Sequence, residues 1–177
     1  MANFVYIATS LDGFIATSDG GLDWLDESPN PEENGYGYAK FMSGIDALVM
    51  GRKTFEKVLT FGSWPYDKPV YVLSNGKVMI PKTLETKVEV VSGTPKKVIA
   101  HLKKRGHQNL YIDGGVTIQG FLKEDLIDEM IITRIPVLLG NGIPLFGRLI
   151  QRLNFKHEKT ELINESLVTS HYKRIRD

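Results

Sequence analysis

The sequence predicts an α/β fold with a mostly parallel central sheet and antiparallel strands in its C-terminal part. Runs of β-branched and aromatic residues alternate with helical segments, and turn residues separate them. The run Val70–Ser74 is almost entirely apolar, which is typical of a parallel strand covered on both faces. Two later runs, Glu129–Ile135 and Val168–Ile175, bring the predicted sheet to about seven strands or more.

The first half of the chain gives a strand, a loop and a helix. The strand Phe4–Ala8 precedes a glycine-rich loop that extends from Asp12 to about Leu25. A short helix is expected near Gly37–Ser43, ahead of the next apolar strand. The other strands are predicted at Ala47–Met50, Val88–Val91 and Leu110–Ile112.

The second half contains a helix with a clear start signal. Thr94 is suited to cap the helix, and Pro95 is suited to its first turn, because the missing N–H of proline is not needed there. The helix is expected to end before Gly106. No linker or repeat divides the chain, so residues 1–177 are expected to form a single domain.

Composition excludes several classes of function. A net charge of +1 provides no field to hold a polyanion, so nucleic acid is not an expected partner. The chain has no cysteine and only four scattered histidines, which argues against a metal site. The N-terminus lacks a signal-peptide pattern, and no apolar run approaches membrane-spanning length, so a cytoplasmic protein without a membrane partner is expected.

Two strand-to-helix junctions, far apart in the sequence, are suited to the same anion. The first contains Gly51, Arg52, Lys53 and Thr54, and the second is the run Asp113–Ile118 with its Gly-Gly pair. Glycine lets an anion approach the exposed N–H groups at the positive end of a helix. Together the junctions suggest a nucleotide with a diphosphate group.

Each glycine signal alone is weak, and neither matches a Rossmann or Walker loop. A third strand end, with Ser74 and Asn75, strengthens the case, because the carboxyl ends of parallel strands line one crevice. Arg52 or Lys77 could pair with a ribose phosphate, which would favour NADPH over NADH. The alternative is that these cations are ordinary solvated side chains.

These motifs, in this order and spacing, resemble dihydrofolate reductase. Ser10–Ala16, together with Pro136–Phe146, is more similar to the sister branch, the riboflavin-biosynthesis (RibD C-terminal-like) reductase domain. That branch reduces the ribosyl group of a 5-amino-6-(5-phosphoribosylamino)uracil. The resemblance covers nearly the whole chain and implies a three-layer α/β/α fold and NADPH as cofactor.

The resemblance also implies a set of site residues. Arg52, Thr54 and Ser74 would meet cofactor phosphates, and the glycine turn would contain a strained, cis Gly-Gly peptide. Trp24 would close over the nicotinamide, although packing against the sheet is an equal alternative. The complete cofactor set implied by the resemblance is Ala8, Thr9, Trp24, Gly51, Arg52, Lys53, Thr54, Ser74, Asn75, Gly114, Gly115, Val116, Thr117 and Ile118.

Departures from the folate pattern bear on the substrate. The carboxylate that orients the pterin is expected near Gly35 and is missing unless Glu32 or Glu33 replaces it. The arginine that pairs with the folate glutamate is replaced by residues 66–68. The riboflavin branch has an acid before the glycine turn, as Asp113 is here, but its phosphate-binding arginines have no counterpart.

The candidate substrate contacts are Lys40, a weak replacement for those arginines, and Thr133, a residue type that contacts pterin. Asp113 and Asp12 are the candidate catalytic groups, for orienting substrate hydroxyls or passing a proton. For Asp12, turn formation is favoured over a catalytic role, whereas Asp113 is equally suited to cap a helix, a role compatible with catalysis.

Three kinds of function remain open. The first is an NADPH-dependent reductase of a pyrimidine or pterin-like compound, with dihydrofolate as an alternative substrate. The second is a nucleotide-binding protein that has lost catalysis, and the third is a flavin or phosphate-ester binder. A homodimer is plausible by resemblance to the riboflavin branch, and the segment Ile143–Phe146 could lie in its interface or in the core.

Overall fold

A computed structural model describes residues 1–25, 37–163 and 165–176. The first five strands are β1 Ala2–Thr9, β2 Phe14–Ala16, β3 Ala47–Gly51, β4 Val70–Leu73 and β5 Val88–Val91. The others are β6 Asn109–Asp113, β7 Glu129–Arg134, β8 Ile143–Pro144, β9 Asn154–Ile163 and β10 Leu167–Ile175. The α-helices are α1 Tyr38–Ser43, α2 Arg52–Val58, α3 Pro95–Lys104 and α4 Gly115–Lys123. Among the described residues, no helix has the length and hydropathy needed to cross a membrane.

Eight strands form one sheet in the order β5-β4-β3-β6-β1-β7-β10-β9, while β2 and β8 form a small second sheet. All neighbours from β5 through β7 run parallel, and β10 pairs antiparallel with β7 and β9. The predicted mostly parallel sheet with antiparallel C-terminal strands is therefore confirmed.

Helices cover both faces of the parallel part of the sheet. On one face, α3 and α4 contribute Leu102 and Phe121 to a core that includes Val49 and Ile112. On the other face, Phe55 of α2 packs with Leu48, Met50 and Tyr111, with side chains of α1 packed against them. Residues Ala47, Leu48, Val49 and Met50 are each 0% exposed, which explains why β3 reads as a continuous apolar run.

The start of α3 follows its sequence signal. The Thr94 side chain accepts a hydrogen bond from the Lys97 N–H, and Pro95 occupies the first turn. This cap satisfies one of the N–H groups that a helix start leaves without an intrahelical partner.

The sequence missed β9 and several short elements. β9 lies at the edge of the sheet and is largely exposed, and its charged residues conceal the alternation that identifies a strand. The predicted loop from Asp12 to Leu25 contains β2 and a 3₁₀ turn at Asp23–Leu25. The sheet therefore has eight strands rather than the seven that the sequence located.

Candidate active site

Four adjacent strands end along one edge of the sheet, in the spatial order β4, β3, β6 and β1. The residues at these ends are Ser74 after β4, Gly51 in β3, Gly114 after β6, and Ala8 with Thr9 in β1. Three strand spacings separate the first end from the last, a distance of about 14 Å. The predicted site residues from four separate parts of the sequence thus form one row.

The two glycine junctions face each other in register. Met50 of β3 pairs with Asp113 of β6, so the glycine that follows each residue lies beside the other. A methyl group on Gly51 would lie 2.9 Å from the Thr117 hydroxyl oxygen. A methyl group on Gly114 would overlap the Thr54 hydroxyl and lie 3.2 Å from its Cβ. Each junction therefore places a threonine against the glycine of the other.

Gly114 also needs its own backbone conformation. It caps α4 with φ 86° and ψ 135°, in a region that residues with side chains rarely adopt. The structure contains no cis peptide among the described residues, so the expected cis Gly-Gly bond is wrong. The turn is made by positive φ at a trans peptide instead. Asp113 does not cap α4. Its Oδ1 accepts a hydrogen bond at 2.8 Å from the N–H of Gly114, which is itself the cap residue, rather than from an N–H inside the first turn.

The first turn of α4 presents backbone donors to this edge. An α-helix leaves its first N–H groups without intrahelical partners, and Gly114 offers no side chain to cap them. Gly115 packs closely under the loop, where an added methyl group would lie 2.8 Å from Ile15 Cδ1. The Val116 side chain is 82% exposed, and Thr117 is buried against the first junction.

Ile118 has a different role from the one predicted. Its N–H already donates to the Gly114 carbonyl at 2.9 Å, and its side chain is 0% exposed in the core. The predicted diphosphate donors in α4 are therefore the amides of residues 115–117.

Side-chain donors gather where β4 ends. The Ser74 hydroxyl accepts from the Gly76 N–H and donates to the Gly76 carbonyl, both at 3.1 Å, which forms a compact turn. Arg52 Nη1 lies 3.6 Å from the position that a Gly76 Cβ would take. Arg52 also forms an exposed ion pair with Glu56, 3.4 Å between Nε and Oε1. Lys53 and Asn75 are exposed.

Asp113 lies at this edge on the face that α1 and α2 cover. Strand alternation places it on the same face as Tyr111. Burial raises the pKa of Asp113 to about 6, while the Gly114 N–H and the Tyr111 hydroxyl act in the opposite direction. Burial and the Asp113 charge raise the pKa of Tyr38 to about 12, and the same causes raise that of Tyr66. Asp113 therefore lies beside a group of neutral tyrosines.

Sequence reasoning missed these tyrosines. Tyr6 stacks on Phe41 with 4.8 Å between ring centroids, and Tyr38 meets Tyr6 edge-on at 5.5 Å. Phe41 in turn meets Tyr111 at 5.2 Å. The spacing of Tyr111 and Asp113, two residues apart in one strand, was the available signal.

The Asp12 carboxylate accepts three hydrogen bonds that hold two loops together. Its Oδ1 accepts from the Ser10 hydroxyl at 2.6 Å and the Leu139 N–H at 3.2 Å, and its Oδ2 from the Gly140 N–H at 2.7 Å. The Ser10 bond is the main reason that the Asp12 pKa lies below its usual value. These bonds join two loops and support the turn-forming interpretation, and a catalytic role of Asp12 stays a prediction.

Trp24 is a core residue beside the end of β1. It is 6% exposed and packs with Ile135 and Leu167, and Ala8 lies against this cluster. Its Nε1 has no hydrogen-bond partner among the described residues. The packing alternative is therefore observed, while contact with a nicotinamide ring stays a prediction.

The two predicted substrate residues are placed differently. Thr133 pairs with Ala8 across β7 and β1, but it is 3% exposed and its hydroxyl bonds to Thr169 at 2.8 Å. Lys40 is exposed on α1. The folate-type acid expected near Gly35, with Glu32 and Glu33 as replacements, lies outside the described residues.

The donor set of this edge fits a nucleotide diphosphate. Backbone N–H groups at a helix start, a serine hydroxyl and a guanidinium are the groups that bind phosphates in proteins. Arg52 and Ser74 would hold a ribose phosphate, and the amides of residues 115–117 would hold the diphosphate. The aromatic rings of Tyr6, Tyr38 and Phe41 and the carboxyl group of Asp113 lie on the face of the sheet that α1 and α2 cover.

The fold and this edge define a protein of dihydrofolate reductase-like architecture. The dihydrofolate reductase from Enterococcus faecalis, whose structure contains NADP(H), superposes on this chain with a TM-score of 0.68. The match covers 98% of this chain and 96% of that one, at 17% sequence identity. The chain belongs to the RibD C-terminal domain family, whose model matches residues 4–169.

Two further solved structures are similar to this chain. A Shewanella sp. PV-4 protein, assigned provisionally by its name to riboflavin biosynthesis, is 54% identical over 99% of this chain and 100% of its own, with a TM-score of 0.95. A Thermotoga maritima deaminase/5-amino-6-(5-phosphoribosylamino)uracil reductase matches 98% of this chain and 56% of its own, at 15% identity and a TM-score of 0.76. The latter likeness concerns the fold alone.

Proposed function

We propose that the protein is an NADPH-dependent reductase that acts by hydride transfer on a pyrimidine or pterin-like substrate. The leading physiological substrate is a 5-amino-6-(5-phosphoribosylamino)uracil of riboflavin biosynthesis. The row of phosphate donors at the ends of β4, β3 and β6, with an acid and aromatic rings beside it, is the observation that carries the proposal. The family and the name of the Shewanella relative support it.

The order of the donors supports the following placement of the cofactor. Arg52 of α2 and Ser74 after β4 hold the adenosine-side phosphate, because a guanidinium and a hydroxyl favour the doubly charged group that distinguishes NADPH from NADH. Residues 115–117 hold the diphosphate through their amides. The nicotinamide ring then lies towards the end of β1, beside Ala8 and Thr9. When bound, NADPH supplies a hydride from that ring.

The substrate ring lies on the aromatic side of Asp113. Tyr6, Tyr38 and Phe41 offer apolar ring faces to a planar heterocycle and exclude water from it. Asp113 has a pKa of about 6, so it carries a proton in part of the molecules near neutral pH. In that form it donates the proton to the substrate atom that receives the electron pair.

The same geometry disfavours dihydrofolate. Residues 66–68 stand where a folate reductase has its glutamate-binding arginine, and Tyr66 is 8% exposed and packed against Trp64. An acid directly before the glycine turn is the feature shared with the riboflavin branch. Turnover of dihydrofolate at an ordinary enzyme rate would contradict this assignment.

Cofactor choice provides the first test. Titration calorimetry is expected to give tighter binding of NADPH than of NADH. The Arg52→Gln substitution should weaken NADPH binding about tenfold, or ~1.4 kcal/mol, and leave NADH binding nearly unchanged. Lys104→Gln, at the exposed end of α3, is the matched control for loss of one positive charge and should change neither. Preference for FMN over both dinucleotides would overturn the proposal.

Cofactor oxidation provides the second test. NADPH absorbance is followed after addition of the ribosylaminopyrimidine phosphate, dihydrofolate, or small carbonyl and quinone compounds. Turnover of the first substrate is the expected result. NADPH binding without turnover of any substrate would favour the nucleotide-binding alternative that has lost catalysis.

A homodimer is also part of the proposal. Leu145 is 1% exposed and belongs to the core, whereas Phe146 is 50% exposed and is free to enter an interface. Light scattering after size exclusion should give twice the chain mass of 19.9 kDa at micromolar concentration. A monomer mass that does not change with concentration would contradict it.

A further inference from the structure

Tyr111 is a buried polar residue with no part in the cofactor or substrate contacts above. It is 6% exposed in the middle of the sheet, and its ring meets Phe41 edge-on at 5.2 Å. Its hydroxyl donates to the Tyr6 carbonyl of β1 at 2.8 Å. A phenylalanine would fill the same volume, so packing alone does not account for the hydroxyl.

Asp113 is the second acceptor within reach of that hydroxyl. The two residues are two positions apart in β6 and therefore share one face of the sheet. Burial is the main cause of the raised Asp113 pKa, and a hydrogen bond from the Tyr111 hydroxyl, which lies 2.8 Å from the Tyr6 carbonyl oxygen, acts to lower that pKa. A phenol has one proton, so it donates either to the Tyr6 carbonyl or to Asp113 at a given moment.

Among the described residues, Tyr111 is the one side chain that forms a hydrogen bond with the Asp113 carboxylate. The other hydrogen bond to the carboxylate comes from the Gly114 N–H at 2.8 Å. The titratable groups that face Asp113 from the neighbouring elements are Tyr38 of α1 and Tyr66 from the segment before β4, and both are neutral at pH 7. Among the described residues, no cation is a partner of this carboxylate.

We infer that Tyr111 is a positioning residue for Asp113, whose hydroxyl proton alternates between the Tyr6 carbonyl and the Asp113 carboxylate and so governs when the acid takes up a proton. With Asp113 ionised, the phenol O–H points to the carboxylate. With Asp113 protonated, the acid donates to the phenol oxygen, and the phenol donates to the Tyr6 carbonyl. The covalent O–H bond of Tyr111 is intact in both states. This inference deepens the proposed function, on which its catalytic meaning rests.

The direct test is a ¹³C NMR titration of the Asp113 carboxyl group in the protein without cofactor or substrate. Tyr111→Phe removes a hydrogen bond to the charged form, so the Asp113 pKa should rise by about one pH unit. Tyr66→Phe is the control, because it removes a neighbouring phenol that is not a hydrogen-bond partner of Asp113, and the pKa should then stay within ~0.2 of the wild-type value. An unchanged pKa in Tyr111→Phe would overturn the inference.

A second measurement needs no variant that alters the core. In the wild-type protein, the ¹³Cζ resonance of Tyr111 should titrate with the midpoint of Asp113, and this step should be absent in Asp113→Asn. A Tyr111 resonance that does not change through the Asp113 titration would overturn the inference even if Tyr111→Phe failed to fold.

The pH profile of turnover connects the pair to catalysis. Asp113 acts in its protonated form, so kcat falls as pH rises through its pKa. Tyr111→Phe should move this falling limb to higher pH by about one unit, an effect that a purely structural role would not produce. If the protein turns over substrate but the Tyr111 resonance does not titrate with Asp113, only this inference is overturned. A coupled titration with no turnover on any substrate would overturn the proposed function instead.

Discussion

The two strand-to-helix junctions occupy matching positions, yet they contribute different chemistry. At the first, Met50 is 0% exposed and Gly51 has an extended backbone, φ −76° and ψ 161°. At the second, the residue in register with Met50 is the acid Asp113, and Gly114 has φ 86°. The first junction is conformationally ordinary and contributes the cation Arg52. The second contributes a constrained backbone, the first amides of α4 and the carboxyl group of Asp113.

The two glycines occupy equivalent positions but are required for different physical reasons. At Gly51, an added side chain would crowd the Thr117 hydroxyl, which can move away. Gly114 is needed because of both its φ and its contact with Thr54. Substitutions at the two positions should therefore separate the two causes.

Gly114→Ala is expected to have the largest effect. Positive φ and overlap with Thr54 act together, so the free energy of unfolding should fall by about 2–4 kcal/mol. NADPH binding should be lost with it, since the α4 amides would move. Urea unfolding followed by circular dichroism measures the change. A loss below ~1 kcal/mol would contradict the constrained conformation.

Gly51→Ala is expected to be milder, with a loss of about 1–2 kcal/mol. The reason is that an alanine accepts the observed φ and ψ, and only the Thr117 hydroxyl must move. The double variant with Thr117→Ala is the matched control, and its loss of unfolding free energy should be smaller than the sum of the two single losses, because the clash is then removed. Additive losses, or a loss equal to that of Gly114→Ala, would remove the distinction between the junctions.

Asp113→Asn is expected to have the smallest effect on stability and the opposite sign. The folded-state pKa of about 6 exceeds the usual 3.8, so ionisation destabilises the folded protein above pH 6. Since the carboxyl group is partly exposed, Asn should stabilise by only about 1 kcal/mol at pH 7.5. That gain should fade as pH falls through 6 towards 4, and turnover should drop at least ~100-fold.

A gain in stability that is the same at pH 4 and pH 7.5 would contradict the raised pKa. Unchanged turnover in a folded Asn variant would remove Asp113 from catalysis. The first junction offers no counterpart to this experiment, because Met50 does not ionise.

The sequence was sufficient where one local signal determines the structure. The apolar runs of β3 and β4, the Thr94 cap and both glycine junctions follow from residue pattern alone. β9 was not recognised because an edge strand tolerates charge at nearly every position. The trans geometry at Gly114 could not be predicted, because a glycine pair permits either a positive φ or a cis bond.

The sequence predicted which residues could donate hydrogen bonds at the candidate site, but it did not predict how those residues are arranged in space. The sequence identified Arg52, Ser74 and the α4 start, because glycine, hydroxyl and cation beside a strand end have chemical meaning. The reciprocal contact between the junctions depends on β6 lying between β3 and β1, which is a property of topology. Tyr111 looked like a core residue because its hydrogen bond reaches 105 positions along the chain to Tyr6.

An NMR titration of the backbone amides with NADPH locates the diphosphate directly. The amides of Gly115, Val116 and Thr117 should shift most as the cofactor saturates the protein, while those of β9 should not move. Saturable NADPH binding that leaves these three amides unchanged would place the diphosphate elsewhere and contradict its proposed binding at the start of α4.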